Sequence, residues 1–83
     1  MTINIHPHAL TRMKERGATK QEVIETVNSG ERFPAKFDRI GFRRNFPYAS
    51  VWRNREFATK QIEVFAVEEQ GDRVVITVIV KYF

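Results

Sequence analysis

The hydrophobic period of this chain changes once, after Gly30, and that change constrains the fold more than any other feature. Before it, apolar residues recur at helical spacing: Leu10 and Met13, then Val23, Ile24 and Val27. After it they alternate as in strands, with Ile62, Val64 and Ala66 set against Glu63, Phe65 and Val67. Helices followed by strands in one short chain point to an α+β arrangement, with the helices packed on a sheet. At 83 residues there is room for one core, so residues 1–83 are expected to form a single domain.

The punctuation supports that reading. Residues 7–16 read as a first helix, with Pro7 suited to its first turn and Gly17 to a left-handed stop. Thr19-Lys-Gln-Glu22 matches a capping box, and Ala18 with Val23 matches a hydrophobic staple. Asn28-Ser29-Gly30 ends the second helix, making an αα hairpin. Ile3 and Ile5 permit a short first strand. Residues 39–46 read as a strand with a cationic face that Pro47 ends. Val51-Trp52-Arg53 reads as a further short strand or a loop. Ile62–Val67 and Val74–Val80 form the clearest hairpin, turning at Glu68–Asp72. The last strand is apolar on both faces apart from Thr77, which suits the interior of a sheet. The expected architecture is two helices on a three- to four-stranded antiparallel sheet.

Composition narrows the chemistry. A hydrophobic content of 42% with seven Phe excludes disorder, and the absence of Cys excludes disulfides and thiolate zinc sites. His6 and His8 lack a fixed carboxylate partner, so neither metal nor cofactor is expected. The start has no basic run followed by an apolar run, and Val74–Val80 is too short to span a bilayer. A cytoplasmic protein without a membrane partner is the expectation. Net charge is +4, and residues 31–60 alone hold eight basic against three acidic side chains. Such an excess favours polyanionic partners.

His8, Arg12 and Arg16 stand at i, i+4 and i+8, on one side of the first helix. A helix start attracts an anion, and a neutral imidazole there can accept a proton. Arg12 is placed to hold a phosphate oxygen, while arginines from the sheet would stabilise transition-state charge. Metal-free cleavage of RNA by its own 2′-hydroxyl needs such a set. Lys81 and Tyr82 are the candidates for the second proton-transfer group. Arg16, Arg39, Arg43, Arg44, Arg53 and Arg55, with Trp52, make the candidate nucleic-acid surface, because aromatic and basic residues interleave there. Plainer readings stand beside these. Arg16 suits any last helical turn, Arg12 pairs with Glu15 at i, i+3, and most Phe residues serve a core.

The run His8-Ala9-x-x-Arg12-Met13-x-x-Arg16-Gly17-x-Thr19-x-x-x-Val23, with Gly30-Glu31 closing the second helix, resembles a family of short bacterial domains of unknown function. That family is similar in topology to the RelE-like toxins, which have two N-terminal helices followed by an antiparallel sheet. The resemblance implies a metal-independent ribonuclease acting on messenger RNA, often at the ribosome, and neutralised by an acidic antitoxin. It carries forward His8, Arg12 and Arg16, with Lys81 and Tyr82 as the only equivalents for a C-terminal catalytic group. The alternative is a non-catalytic module binding nucleic acid or an acidic protein through the Arg39–Arg55 surface.

Overall fold

In the computed structural model, which describes residues 2–83, β1 (Ile3–Ile5) leads into α1 (Pro7–Arg16) and α2 (Lys20–Ser29). The helix signals act as expected. Pro7 lies in the first turn of α1, and the His6 side chain accepts the backbone N–H of His8 at 3.1 Å. Gly17 stops the helix at φ 82°, returning its N–H to the carbonyl of Met13. Thr19 and Glu22 exchange both capping-box bonds at the start of α2, at 3.1 and 2.9 Å. One detail differs. Ala9 and Met13 are buried whereas Leu10 is exposed, because the contact line of α1 runs through 9 and 13 and Leu10 is turned by about 100°.

The sheet corrects the expected architecture. It has five strands, not three or four, and it is mixed. After α2 come β2 (Glu31–Pro34), β3 (Ile40–Trp52), β4 (Arg55–Glu69) and β5 (Asp72–Tyr82), in the order β1-β5-β4-β3-β2. The short β1 lies parallel to β5, and every other pairing is antiparallel. Neither extra edge strand is strongly written in the chain. β2 is four residues long without alternation, and an edge position tolerates Pro34.

Pro47 does not end its strand, contrary to the sequence reading. Its partner Thr59 directs its own N–H to the carbonyl of Phe83, so Pro47 occupies a position that makes no bond to β4. The missing donor therefore costs no ladder hydrogen bond. A register shift between Pro47 and Ser50, with Ala49 at φ 43°, follows immediately. Trp52 ends β3 rather than forming a separate strand. Arg53 and Asn54, at φ 51° and 67°, make the tight turn into β4.

Both helices pack on the same sheet face, α1 over β5 and α2 over β4 and β3. Phe42, Ile62, Val64, Ala66, Val75 and Val78 are buried beneath them. Val75 and Val78 share that face although three apart, because a register shift opposite Phe65 and Ala66 resets the alternation. On the opposite face Phe33, Phe65, Val67, Val74, Thr77 and Ile79 are only half-buried. β1 pairs with Arg73–Val75 alone, leaving the rest of that edge of β5 without a strand. Gly41 serves close packing, since a Cβ there would enter the ring of Phe33, which meets Phe65 edge-on at 5.9 Å.

Candidate nucleic-acid interface

The flank of α1 that carries His8, Arg12 and Arg16 is not three equivalent groups. His8 is exposed in the first turn, and the amide there is already taken by His6. Arg12 forms a half-exposed pair with Glu15 at 3.0 Å. Arg16 turns inward, and its Nη1 donates to the carbonyl of Val78 at 2.6 Å. It thereby satisfies a β5 edge group that β1 leaves open.

At the end of α1 the β3–β4 hairpin folds back. Tyr48, Trp52 and Phe57 gather around Tyr82, with ring centroids at 5.1, 4.9 and 5.7 Å. The Trp52 and Tyr82 rings stack at 17°, and the Arg53 guanidinium lies 5.4 Å from the centre of the indole. Trp52 thus meets both an aromatic ring and a guanidinium. Arg16, Trp52, Arg53, Ile79, Val80 and Tyr82 line an open hollow of about 360 Å³. Among the described residues, Arg16, Arg53 and Arg55 have no carboxylate within salt-bridge distance.

Tyr82 is fastened rather than free. Its hydroxyl donates to the carbonyl of Arg16 at 2.8 Å, and burial, with Tyr48 and Glu22 nearby, pushes it up to about 12. A pKa raised in the folded state stabilises the fold below the ordinary value of 10.0, and that stability is lost as pH rises towards 12. Tyr82→Phe should remove this alkaline loss in urea melts between those limits. It should also cost about 1 kcal/mol at neutral pH for the missing hydrogen bond. An unchanged alkaline profile in the variant would contradict the assignment.

The other expected site residues are dispersed. Arg43 and Arg44 are consecutive in β3, so they leave opposite faces of the sheet. Arg43 binds Glu63 at 2.8 Å and approaches Glu31 at 3.6 Å on the uncovered face. Arg44 reaches the Ser29 hydroxyl and lies 3.9 Å from Glu25 on the helix side. Arg39 is exposed at the β2–β3 turn. The arginines of the expected sheet groove thus fall in four separate places, with Arg53 and Arg55 at the β3–β4 turn. Several rings already carry their own guanidinium: Phe33 with Arg43 at 4.6 Å, Phe46 with Arg44 at 5.1 Å, Phe37 with Arg39 at 5.6 Å, Phe57 with Arg55 at 5.5 Å. The interleaving read as a base-stacking surface is largely internal cation–π pairing.

Lys81 and Tyr82 are likewise consecutive and lie on opposite faces. Lys81 pairs with Glu63 at 3.3 Å on the uncovered side. Tyr82 contacts the far end of α1, and eight residues of helix separate His8 from Arg16 by roughly 12 Å. Neither group meets the His8 imidazole.

Lys60 escaped the sequence reading. It is buried on the helix face, and its Nζ donates to the carbonyl of Gly17 and to Glu22 Oε1, the latter at 2.8 Å. Its signal was its phase, since 60 continues the apolar series 62, 64 and 66. Burial alone raises the Glu22 carboxyl, but hydrogen bonds from Lys60 and Thr19 outweigh it and hold the group below its ordinary value. Glu63 behaves alike, with Arg43 and Lys81 overcoming its burial.

No family model, no curated protein and no solved structure matches the chain. Among the described residues no helix is long and apolar enough to cross a membrane, and no three His, Cys, Asp or Glu side chains gather as metal ligands.

Proposed function

We propose that this chain is an RNA-directed domain of the RelE-like type, and that the RNA backbone lies along α1 and enters the hollow at Arg53. One observation carries the reading: Arg16 and Arg53 line one hollow, at the end of the helix flank that bears His8 and Arg12. From His8 to Arg16 the flank spans roughly 12 Å, enough for more than one backbone phosphate. Arg16 gives one donor to Val78, and a guanidinium has five. The Arg12–Glu15 pair is half-exposed, so it yields readily to a phosphate. The sequence motif over residues 8–31 supports the same class.

Binding would thus be chiefly electrostatic, because the Trp52 ring already stacks on Tyr82 with the Arg53 guanidinium beside it. In the stronger form of the reading His8 takes the 2′-hydroxyl proton as that oxygen attacks phosphorus. The departing 5′-oxygen is then protonated by water, since Tyr82 is bound to Arg16 and Lys81 lies on the opposite face. Slow cleavage is expected.

The test is binding of a single-stranded RNA across a salt series. Affinity should fall steeply with salt, and Arg12→Gln and Arg53→Gln should each flatten the slope by about 0.7. Arg39→Gln, on a different face, should leave it unchanged. Indifference to salt, or equal loss in all three variants, would refute the binding site. His8→Ala should bind normally and cease to cut; intact RNA with the wild-type chain would remove the chemistry and leave the binding.

A further inference from the structure

We propose that the sheet face opposite the helices is a self-association surface, on which a second copy of the chain packs the same face. The proposal does not rest on the RNA reading. It starts from a row of paired charge that crosses four strands with alternating sign: Glu31, Arg43 and Glu63 at one level of β2, β3 and β4, then Lys81 on β5, two residues beyond the register partner of Glu63 and reaching back to its carboxylate. Every neighbour in the row is paired, at 3.6, 2.8 and 3.3 Å, and the Glu63 side chain is only 8% exposed. The row is neutral as a whole, so covering it leaves no unpaired charge.

A two-fold axis along the strands, in the plane of the interface, reverses the order of the row in the second copy. Arg43 then faces Glu63, and Glu31 comes to the level of Ile79, where the Lys81 side chain leans back along its strand, so each charge meets the opposite sign. The same operation works at the turns. Lys36 and Arg39 flank the β2–β3 turn, and Glu69 ends β4 at the same end of the sheet but towards its other edge. Between these charges lie Phe33, Phe65, Val67, Val74 and Thr77, a mostly apolar band on which no helix packs and which the β2–β3 turn borders at Phe65 and Thr77. Packing of two such faces is the ordinary sandwich arrangement.

Four strands about 4.8 Å apart, three of them some 20 Å long and the four-residue β2 about 13 Å, bury on the order of 800–1,000 Å² between two copies. That is the lower bound for specific association, so the dimer should be weak, with Kd on the order of 10–100 µM. Sedimentation equilibrium of the full chain should show a monomer–dimer exchange in that range. Lys81→Glu sets two like pairs face to face and should weaken the dimer about tenfold or more. The double variant Glu31→Lys with Lys81→Glu restores opposite signs across the axis and should restore dimerisation. Both side chains are largely exposed, at 70% and 59%, and Arg43 still pairs with Glu63, so the fold should persist although the Lys81 contact to Glu63 is lost; circular dichroism checks it. Phe65→Lys should give a monomer that retains its circular dichroism. A chain that stays monomeric to about 1 mM, or a double variant no better than the single one, would overturn the proposal; so would a dimer that survives Phe65→Lys.

Discussion

Lys60→Met is expected to lower the unfolding free energy by about 3 kcal/mol, a large share of the roughly 4–12 kcal/mol typical for a domain of this size. The side chain is 7% exposed and holds together three segments: the end of α1 through the Gly17 carbonyl, the start of α2 through Glu22, and β4 through its own backbone. Methionine keeps most of the volume but leaves Glu22 and the Gly17 carbonyl without their donor. Removing one partner of a fully buried pair costs about 3–5 kcal/mol; Glu22 is 21% exposed and recovers some hydration, which sets the lower figure. For a chain of this length the melting temperature should fall by about 12–24 °C. The loss should depend on pH. Because the Glu22 carboxyl is held below its ordinary value by Lys60 and Thr19, its contribution is full above the unfolded carboxylate range and vanishes as pH falls through the folded value. Wild type and variant should therefore converge in acid. Calorimetry at neutral pH and again near pH 3 checks both statements, and a constant difference would exclude the ion pair as the cause.

Gly17→Ala should be comparably damaging for a different reason. The residue sits at φ 82°, where an L side chain is strained by about 1–2 kcal/mol. Its Cβ would also stand 2.6 Å from the Tyr82 hydroxyl and 2.8 Å from the Trp52 ring. Neither neighbour retreats freely, since Tyr82 is bound to Arg16 and stacked on Trp52. Strain and overpacking together predict a loss of about 2–4 kcal/mol. The aromatic stack should loosen with it, so near-ultraviolet dichroism and Trp52 fluorescence should change in the native state. A variant with native stability and native fluorescence would show that the hairpin does not press on the helix end. Gly71→Ala is the control: it shares a positive φ of 84° but meets nothing within 4 Å, so only the backbone strain should be seen.

These two residues mark where sequence reading succeeds and where it stops. Gly17 was legible as a helix stop, because the left-handed position follows from the local pattern of α1. That the same glycine makes room for Tyr82 and Trp52 was not legible, since those rings are 35 and more residues away. Pro47 shows the converse error. A proline inside a strand normally ends it, yet here the absent donor falls on the side away from β4, a matter of register that no local signal records. The expected cationic groove failed for a related reason. A strand turns every second side chain to the other face, so a basic stretch in sequence cannot become one basic surface unless its charges fall in phase.

By itself the chain determined the two helices, the stop of the first and the capping box of the second, the strand character of the second half and the apolar phase of β4. All of these depend on residues a turn or a strand pair apart. The tertiary structure alone decided that β1 lies parallel to β5, that Arg16 closes the open edge of that strand, and that Lys60 is buried between two helix ends. It also decided which arginines meet. Long-range pairing is chosen by the burial and hydrogen-bonding demands of the whole molecule, and each of those demands is silent in any short window of sequence.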